Sequence, residues 1–359
     1  MPQVLLLGAS GGMGRRIAAL WEAQGSRVPL RLGVRRREAM GSFGPGAPAV
    51  IARLEEPATL RDALSDVAVA INAMGPYAYD PAPVLDACAA AGAHYVDLAS
   101  EPGFLAAVQS WGERHEARIA LCPGASTVPG LIELSAAHLA KRLGAVPTAF
   151  EAFLSMGSAN RLTPGLIASL TLPLGVRLSS PDGGMSYRQL RRRHLHGLGP
   201  RLFGRYPSPF DEQGLSLGDR RVLTRFWVGL DRSWIVYALR ALSYLRPRFR
   251  DRTWITLAEK ARPLVALANR VGGRVGGLRL EALDGAGNVL GAVNYLAPRE
   301  GLNIPALPSV WAARALLAVG QPGFRPLRTL VTFEEAATSL RAHGFEVFLG
   351  LPATPSRNG

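Results

Sequence analysis

The sequence predicts an α/β fold, a doubly wound parallel sheet followed by a second, α+β domain. Three observations carry this expectation. The first 125 residues alternate short apolar runs with amphipathic ones. A glycine-rich turn follows the first apolar run. Beyond residue 125 the rhythm changes to longer alternating runs of antiparallel character, separated by helical stretches.

The elements follow in order. Residues 4–7 form a first strand and 8–14 the turn after it. Residues 13–24 read as a helix that stops before Gly25. Strands at 28–34 and 49–54 precede a helix over 58–64. A fourth strand at 67–73 leads to a helix over 81–91, stopped by Gly92. A strand at 94–98, a helix over 103–115 and a strand at 117–121 complete the series. In the second domain 149–156 and 222–229 alternate apolar with polar or small residues. Strands 278–283 and 289–296 flank Asp284–Asn288 (DGAGN), a hairpin signal. Helical stretches at 164–173, 234–245 and 253–269 lie between. Helices at 305–319 and 333–343 are expected to return to the first domain. The domains are therefore expected at 1–128 and 129–300, with C-terminal helices over 301–351 and a frayed end from Pro352.

Composition bounds the function. The chain has 359 residues, 48% hydrophobic and 19% charged, enough apolar material for two cores and unlike a disordered chain. Its two cysteines, Cys88 and Cys122, exclude a disulfide framework or a Cys-based zinc site. With no basic stretch before the first apolar run, a cytoplasmic location is expected. No run of 18 apolar residues suggests a spanning helix. The net charge is +14, almost all from arginine; Lys141 and Lys260 are the only lysines. Residues 185–262 hold 17 Lys/Arg against 6 Asp/Glu. Such a block suits nucleic acid, anionic lipid or an acidic ligand. The plainer reading, a solvated arginine-rich face, is preferred. No recognition or stacking motif accompanies the charge, so nucleic acid is not an expected partner.

Gly8-Ala9-Ser10-Gly11-Gly12-Met13-Gly14 has the spacing G-x-x-G-x-x-G, a variant of the dinucleotide fingerprint in a Rossmann-like setting. Gly8 permits the tight turn, Gly11 lets backbone approach a pyrophosphate, and Gly14 lets helix and sheet pack closely. Ser10, Gly12 and Met13 belong to the same cradle, and the helix N-terminus offers free N–H groups. The second strand selects the nucleotide. An NAD binder places Asp or Glu there. Here Val34 leads into Arg35-Arg36-Arg37, with Glu38 only after them. A guanidinium forks onto a 2′-phosphate. The expected cofactor is NADP(H), clamped by Arg35 and Arg36.

The fourth strand ends in AINAMGPYAYD, residues 70–80. In doubly wound folds ligands sit outside the carboxyl ends of strands. Asn72, Gly75 and Pro76 are therefore expected to border the nicotinamide half of the cofactor. Tyr77 is expected to offer a flat face or a phenol.

GASGGMG, INAMGPYAYDPAPVLDACAAAGAHYVDLASEP and PGASTVPG (123–130) together resemble the saccharopine dehydrogenase-like oxidoreductases. Members pair a strand ending in a Gly-Pro-aromatic step with a helix and a Tyr-Val-Asp-Leu strand; here these are Gly75-Pro76-Tyr77, residues 81–91 and residues 95–98. The resemblance is strong over about residues 1–135 and weaker beyond, where DGAGN and 301–308 are reminiscent of uncharacterised bacterial members. It implies a Rossmann domain, an α+β domain hosting substrate or a dimer contact, and NADP(H)-linked redox chemistry. The family covers C–N redox reactions of amino acids and, in a lipid-related branch, enoyl reduction. The departures in the second domain make saccharopine itself an unexpected substrate.

The short-chain dehydrogenase pattern Tyr-x-x-x-Lys is absent. Catalytic candidates at the strand ends are Tyr77, Asp97 and Glu101, with Ser126 and Thr127 behind them as candidates or turn residues. Asp97 has an alternative role, orienting the loop that follows. His194 and His196 lack further ligands nearby, so no metal is expected. The apolar stretches 234–245 and 253–269 bracket an arginine cluster. A buried pair or dimer interface is favoured for them over a hydrophobic substrate cavity, and that over a membrane surface. The expected protein is an oligomeric NADP(H)-dependent oxidoreductase acting on a C=N, C=C or C=O bond of a small, apolar molecule. Its alternatives are a non-catalytic nucleotide sensor or scaffold and a membrane-peripheral protein of lipid metabolism.

Overall fold

The computed structural model describes residues 3–25, 27–43, 47–115, 118–160, 167, 170–260, 272–299, 301–318 and 320–350. The chain divides into two compact units, Met1–Leu131 with Leu302–Ala336, and Ile132–Gly301 with Ala337–Gly359.

The first unit is built on a seven-stranded parallel sheet. Its strands are β1 (Gln3–Leu7), β2 (Leu30–Val34), β3 (Ala49–Ile51), β4 (Val67–Asn72), β5 (His94–Asp97), β6 (Ala120–Cys122) and β14 (Gly323–Phe324). They lie in the order β14-β6-β5-β4-β1-β2-β3. β1 is flanked by β2 on one side and β4 on the other, so the strand order reverses at β1. That reversal opens the crevice in which doubly wound folds bind ligands. Helices α1 (Gly12–Ala23), α2 (Pro57–Ala63), α3 (Ala82–Ala91), α4 (Pro102–Arg114) and α8 (Leu307–Ala318) belong to the same unit. α1 buries Ile17, Ala18, Leu20 and Trp21, the spacing of one helical face. α3 ends where Gly92 adopts φ +70°; the Ala93 N–H reaches the Cys88 carbonyl at 2.9 Å and closes the helix. Cys88 is core, and burial pushes its thiol up to about 12. α8 packs on β4, β5 and α1 and is buried along nearly its whole length.

The second unit carries a mixed sheet. Its strands are β7 (Ala149–Met156), β8 (Leu190–Leu195), β9 (Gly199–Tyr206), β10 (Leu215–Leu217), β11 (Arg220–Leu230), β12 (Gly276–Leu283), β13 (Val289–Ala297) and β15 (Glu346–Gly350). The order is β15-β13-β12-β7-β11-β9-β8, with β10 on β11. β7 and β11 run parallel; the remaining pairs are antiparallel. Helices α5 (Ile132–Leu143), α6 (Ser233–Leu245) and α7 (Asp251–Lys260) accompany it, and α9 (Phe333–Ala342) carries the chain from one unit to the other. The DGAGN turn closes the β12–β13 hairpin: Asp284 Oδ1 accepts the Ala286 and Asn288 N–H groups at 2.9 and 2.8 Å, and Gly287 takes φ +84°.

Several expectations are corrected. β8 and β9 pair as a hairpin in the first part of the arginine-rich block, a stretch in which no strand is predicted. Residues 346–350, expected among C-terminal helices returning to the first domain, form β15 and pair with β13 of the second sheet. The frayed end from Pro352, half of the helix at 164–173 and the latter part of that at 253–269 lie outside the described residues.

The arginines explain the missed hairpin. Glu151 and Glu281 are register partners on β7 and β12, each buried to within 2%. Arg191 of β8 pairs with Glu151. Arg193 of β8 and Arg279 of β12 pair with Glu281 at 3.1 and 2.7 Å. Charges therefore stand where alternation leads one to expect apolar side chains. Arg205 of β9, fully buried, donates to Asp211 at 2.7 Å and to the Phe226 carbonyl at 3.2 Å. Removing one partner of such a pair strands the other without a counter-charge. Asp211→Ala is expected to lower the unfolding free energy by about 3–5 kcal/mol in urea titrations, with part recovered on adding Arg205→Met.

Candidate functional site

The glycine turn leaves the carboxyl end of β1. Gly8 sits at φ +75°, and a Cβ there would meet the Ala73 carbonyl at 2.9 Å. A Cβ on Gly14 would meet the Gly8 carbonyl at 2.3 Å and Ala9 Cα at 2.7 Å. These two positions require glycine for reasons internal to the fold: one for backbone angle, the other for helix-on-strand contact. Gly11 is different. Its φ is −70° and it serves as the helix N-cap without a side-chain cap. Gly11 and Gly12 are exposed, Ser10 and Met13 half-buried. The first intrahelical bond runs from the Arg15 N–H to the Gly11 carbonyl at 3.0 Å, which leaves the Gly12 and Met13 amides ahead of it. The first turn of α1 holds no acidic residue, and Arg15 and Arg16 follow at once. Basic residues at a helix N-terminus oppose its dipole. They make sense where an anion is to be held.

Arg35 and Arg36 are exposed at the carboxyl end of β2, beside that turn in the sheet order. The Arg35 carbonyl accepts from Arg53 Nε at 2.9 Å, which fixes the backbone while the guanidinium projects to solvent. Arg15, not singled out in the sequence, donates to the Ser10 carbonyl at 3.2 Å and to Ser42 Oγ at 2.9 Å. Its guanidinium stands 5.1 Å from the Phe43 ring centre. It ties the glycine turn to the segment after β2. The signal that could have found it is its place at the wrong end of a helix dipole. A cavity of about 320 Å³ beside α1 is lined by Ala18, Glu22, Leu30 and Phe43. Leu30 opens β2, so this cavity belongs to the opposite end of the strand.

The shelf after β4 is a hydrogen-bonded unit centred on buried Asn72. Asn72 Nδ2 donates to the Tyr79 and Tyr95 hydroxyls, both at 2.9 Å, and Asn72 Oδ1 accepts the Met74 N–H at 3.2 Å. Tyr77 donates its hydroxyl to the Asn72 carbonyl at 2.8 Å and accepts the Leu98 N–H at 3.2 Å. The rings of Tyr77 and Tyr79 lie 4.9 and 5.3 Å from that of Phe104. Gly75 and Pro76 are exposed above this support. A Cβ on Gly75 would make only an ordinary contact, with the Tyr77 ring at 3.8 Å. The protein itself thus leaves the space over Gly75 open.

The Tyr77 phenol, a catalytic candidate from the sequence, is engaged within the protein. Its phenol braces the end of β4 against the start of the loop after β5. Burial, with Asp97 close by, raises its pKa well above the ordinary value. Asp97 is engaged as well. It is fully buried, and Oδ1 accepts the Ala99 and Gly124 N–H groups at 2.9 and 2.8 Å. Its carbonyl accepts the Ala125 N–H at 2.7 Å. Asp97 thus accepts hydrogen bonds from the loops after both β5 and β6. Burial pushes its carboxyl up to about 6 against those N–H groups and the Tyr95 hydroxyl. Glu101 differs: half-buried, it is the N-cap residue of α4, and Oε2 accepts the Ser100 N–H at 2.9 Å. Ser126 and Thr127 are 8% and 7% exposed, inside a buried loop. Of the two histidines weighed for metal, His194 is exposed and His196 has its ring 4.1 Å from that of Phe348. Among the described residues no group of three His, Cys, Asp or Glu side chains could hold an ion.

Two consequences are measurable. Gly14→Ala is expected to cost about 1–3 kcal/mol or more of stability, read by urea denaturation, because backbone must move to admit the methyl. Asp97 contributes a pH dependence of defined sign. Its folded pKa, about 6, lies above the ordinary 3.8, so the fold prefers the protonated acid. Its contribution is greatest below about pH 4 and falls as pH rises to about 6. The difference in unfolding free energy between wild type and Asp97→Asn is expected to shrink by about 2–3 kcal/mol across that window and then level off.

Residues 4–121 match the family model for the saccharopine dehydrogenase NADP binding domain. A protein of Mycobacterium tuberculosis, provisionally named a trans-acting enoyl reductase, is 28% identical over 191 residues, covering 50% of this chain and 46% of its own length. The trans-acting enoyl reductase of Mycobacterium ulcerans is 30% identical over 152 residues, covering 39% of this chain and 36% of its own. The chain thus spans less than half the length of these curated relatives. Apo saccharopine dehydrogenase (L-Glu forming) from Saccharomyces cerevisiae superposes with a TM-score of 0.62 over 98% of this chain and 100% of that one. At 11% identity this is a likeness of fold. Residues 4–121 are thus similar to the saccharopine dehydrogenase NADP-binding domain family, and the chain shows distant homology to trans-acting enoyl reductases.

Proposed function

We propose that this chain is an NADP(H)-dependent oxidoreductase that transfers a hydride to or from a C=C, C=N or C=O bond of an apolar substrate. The names of the mycobacterial relatives favour C=C among these. The observation that carries the reading is the turn at β1. Gly8 and Gly14 bring bare backbone together, the Gly12 and Met13 amides stand free at the helix start, and Arg35 and Arg36 project from the next strand. These groups suit a pyrophosphate and a ribose 2′-phosphate respectively.

NADPH, when bound, supplies the hydride. The chain's own residues do the rest. The turn holds the diphosphate, the arginines select the 2′-phosphate, and Asn72, Gly75 and Pro76 border the reactive half. Tyr77, Tyr79 and Asn72 keep that border rigid, which serves transfer by positioning. Glu101, half-buried and at the carboxyl end of β5, is the candidate to exchange a proton between substrate and water.

A binding-only reading, a nucleotide sensor, is favoured by one fact: the Tyr77 phenol and the Asp97 carboxylate are committed within the protein. Calorimetry with NADPH and NADH, followed by NADPH oxidation with a panel of enones, imines and ketones, separates the two. Binding without turnover supports the sensor; absence of binding removes both. Arg35→Asp with Arg36→Asp is expected to weaken NADPH by roughly 10- to 100-fold while NADH changes little, the worth of one or two charge-assisted bonds. An unchanged preference would refute the clamp.

A further inference from the structure

We propose that the outward face of α6, with the arginine-rich turn into α7, docks on an anionic lipid surface. The inference starts from an inverted helix. A helix on a soluble protein buries its apolar stripe and turns charge outward. α6 buries Val236 and Ser243, yet Trp234, Tyr237, Tyr244 and Leu245 stand 55%, 48%, 46% and 48% exposed. At about 100° per residue these four fall within one stripe, with Ala241 between them and Val236 and Ser243 opposite. Seven of the eleven large hydrophobic residues exposed among the described residues lie between Trp234 and Leu257. Scattered single exposures are normal; a concentration of this kind marks a contact.

The helix is firmly seated on its inner side. α6 packs on β9 and β11. Gly175, at φ +68°, lies so close that a Cβ would strike the Ser243 carbonyl at 2.0 Å. Ser243 Oγ donates to the Arg240 carbonyl at 2.6 Å. The exposed stripe is thus presented by a fixed scaffold.

Charge chooses the occupant. Residues 232–252 contain six arginines and one carboxylate, Asp251, which Arg246 engages. Arg232, Arg240, Arg248 and Arg250 are exposed around the apolar stripe. A second copy meeting this face about a two-fold axis would bring two arginine clusters together. An anionic headgroup layer complements them, each basic residue adding attraction that salt screens. Trp and Tyr settle at the boundary of water and acyl chains. α6 has 13 residues and carries Arg240, and no described helix is long and apolar enough to cross a membrane. The contact is therefore in plane, at headgroup depth.

The full chain is to be sedimented with vesicles of phosphatidylcholine alone and with phosphatidylglycerol added, at low and high salt. Binding is expected with phosphatidylglycerol, strongly reduced by salt, and absent with phosphatidylcholine. Trp234→Ser with Tyr237→Ser, and separately Arg240→Glu with Arg250→Glu, are each expected to weaken binding by roughly 10- to 30-fold. Circular dichroism and NADPH affinity are expected to stay at wild-type values, since these side chains are exposed and lie outside the nucleotide site. No binding to phosphatidylglycerol vesicles, or binding that both variants retain, would overturn the proposal. So would a concentration-dependent dimer, abolished by Trp234→Ser with Tyr237→Ser, in a protein that ignores vesicles. That result would assign the face to a second copy.

Discussion

Bare backbone on bare backbone, where Gly14 meets the Gly8 carbonyl, is the constraint on which the first unit depends. It lets α1 start directly above the end of β1, so that the helix N-terminus and the strand end share one small space. The same turn brings Gly8 against the Ala73 carbonyl and so locks it to the end of β4. From that contact follow the neighbourhood of the glycine cradle and the shelf, and the value of β2's arginines next door. A side chain at either glycine would separate elements that must touch.

The shelf is a second joint of a different kind. Three tyrosines, an asparagine and two main-chain groups satisfy one another across the ends of β4 and β5. Their reach is conformational. The phenols are buried and stay protonated, with pKa values raised by burial. Asp97 extends the joint to β6 through the Gly124 and Ala125 N–H groups. Three adjacent strand ends are thereby held in one arrangement. In the hydride transfer proposed above, such rigidity would serve more than another acid, since that reaction depends chiefly on placement.

The second unit solves another problem with the same economy. Its central strands carry Glu151 and Glu281 side by side, like charges that would repel without compensation. Arginines from β8, β11 and β12 neutralise them. Part of the basic block thus has an internal purpose. Arg240, Arg248 and Arg250 are instead exposed, beside apolar side chains that face outward.

The strand–helix alternation, the glycine turn, the DGAGN hairpin and the arginines after β2 were all legible in the sequence. Each depends on neighbours a few residues away, through period, φ preference or local hydrogen bonding. Asp97 was legible as one of two roles, while its bond from the Gly124 N–H, 27 residues on, was not. The destination of the Tyr77 phenol depends on Leu98, 21 residues on. The pairing of Arg191 depends on Glu151, 40 residues back. The exposure of Trp234 depends on which side of α6 meets β9 and β11. Sequence by itself determined what the chain can form locally and where its glycine turn lies. Tertiary structure alone decided which polar groups are spent within the protein and which are left to face something else, because a side chain's partner is set by distance in space.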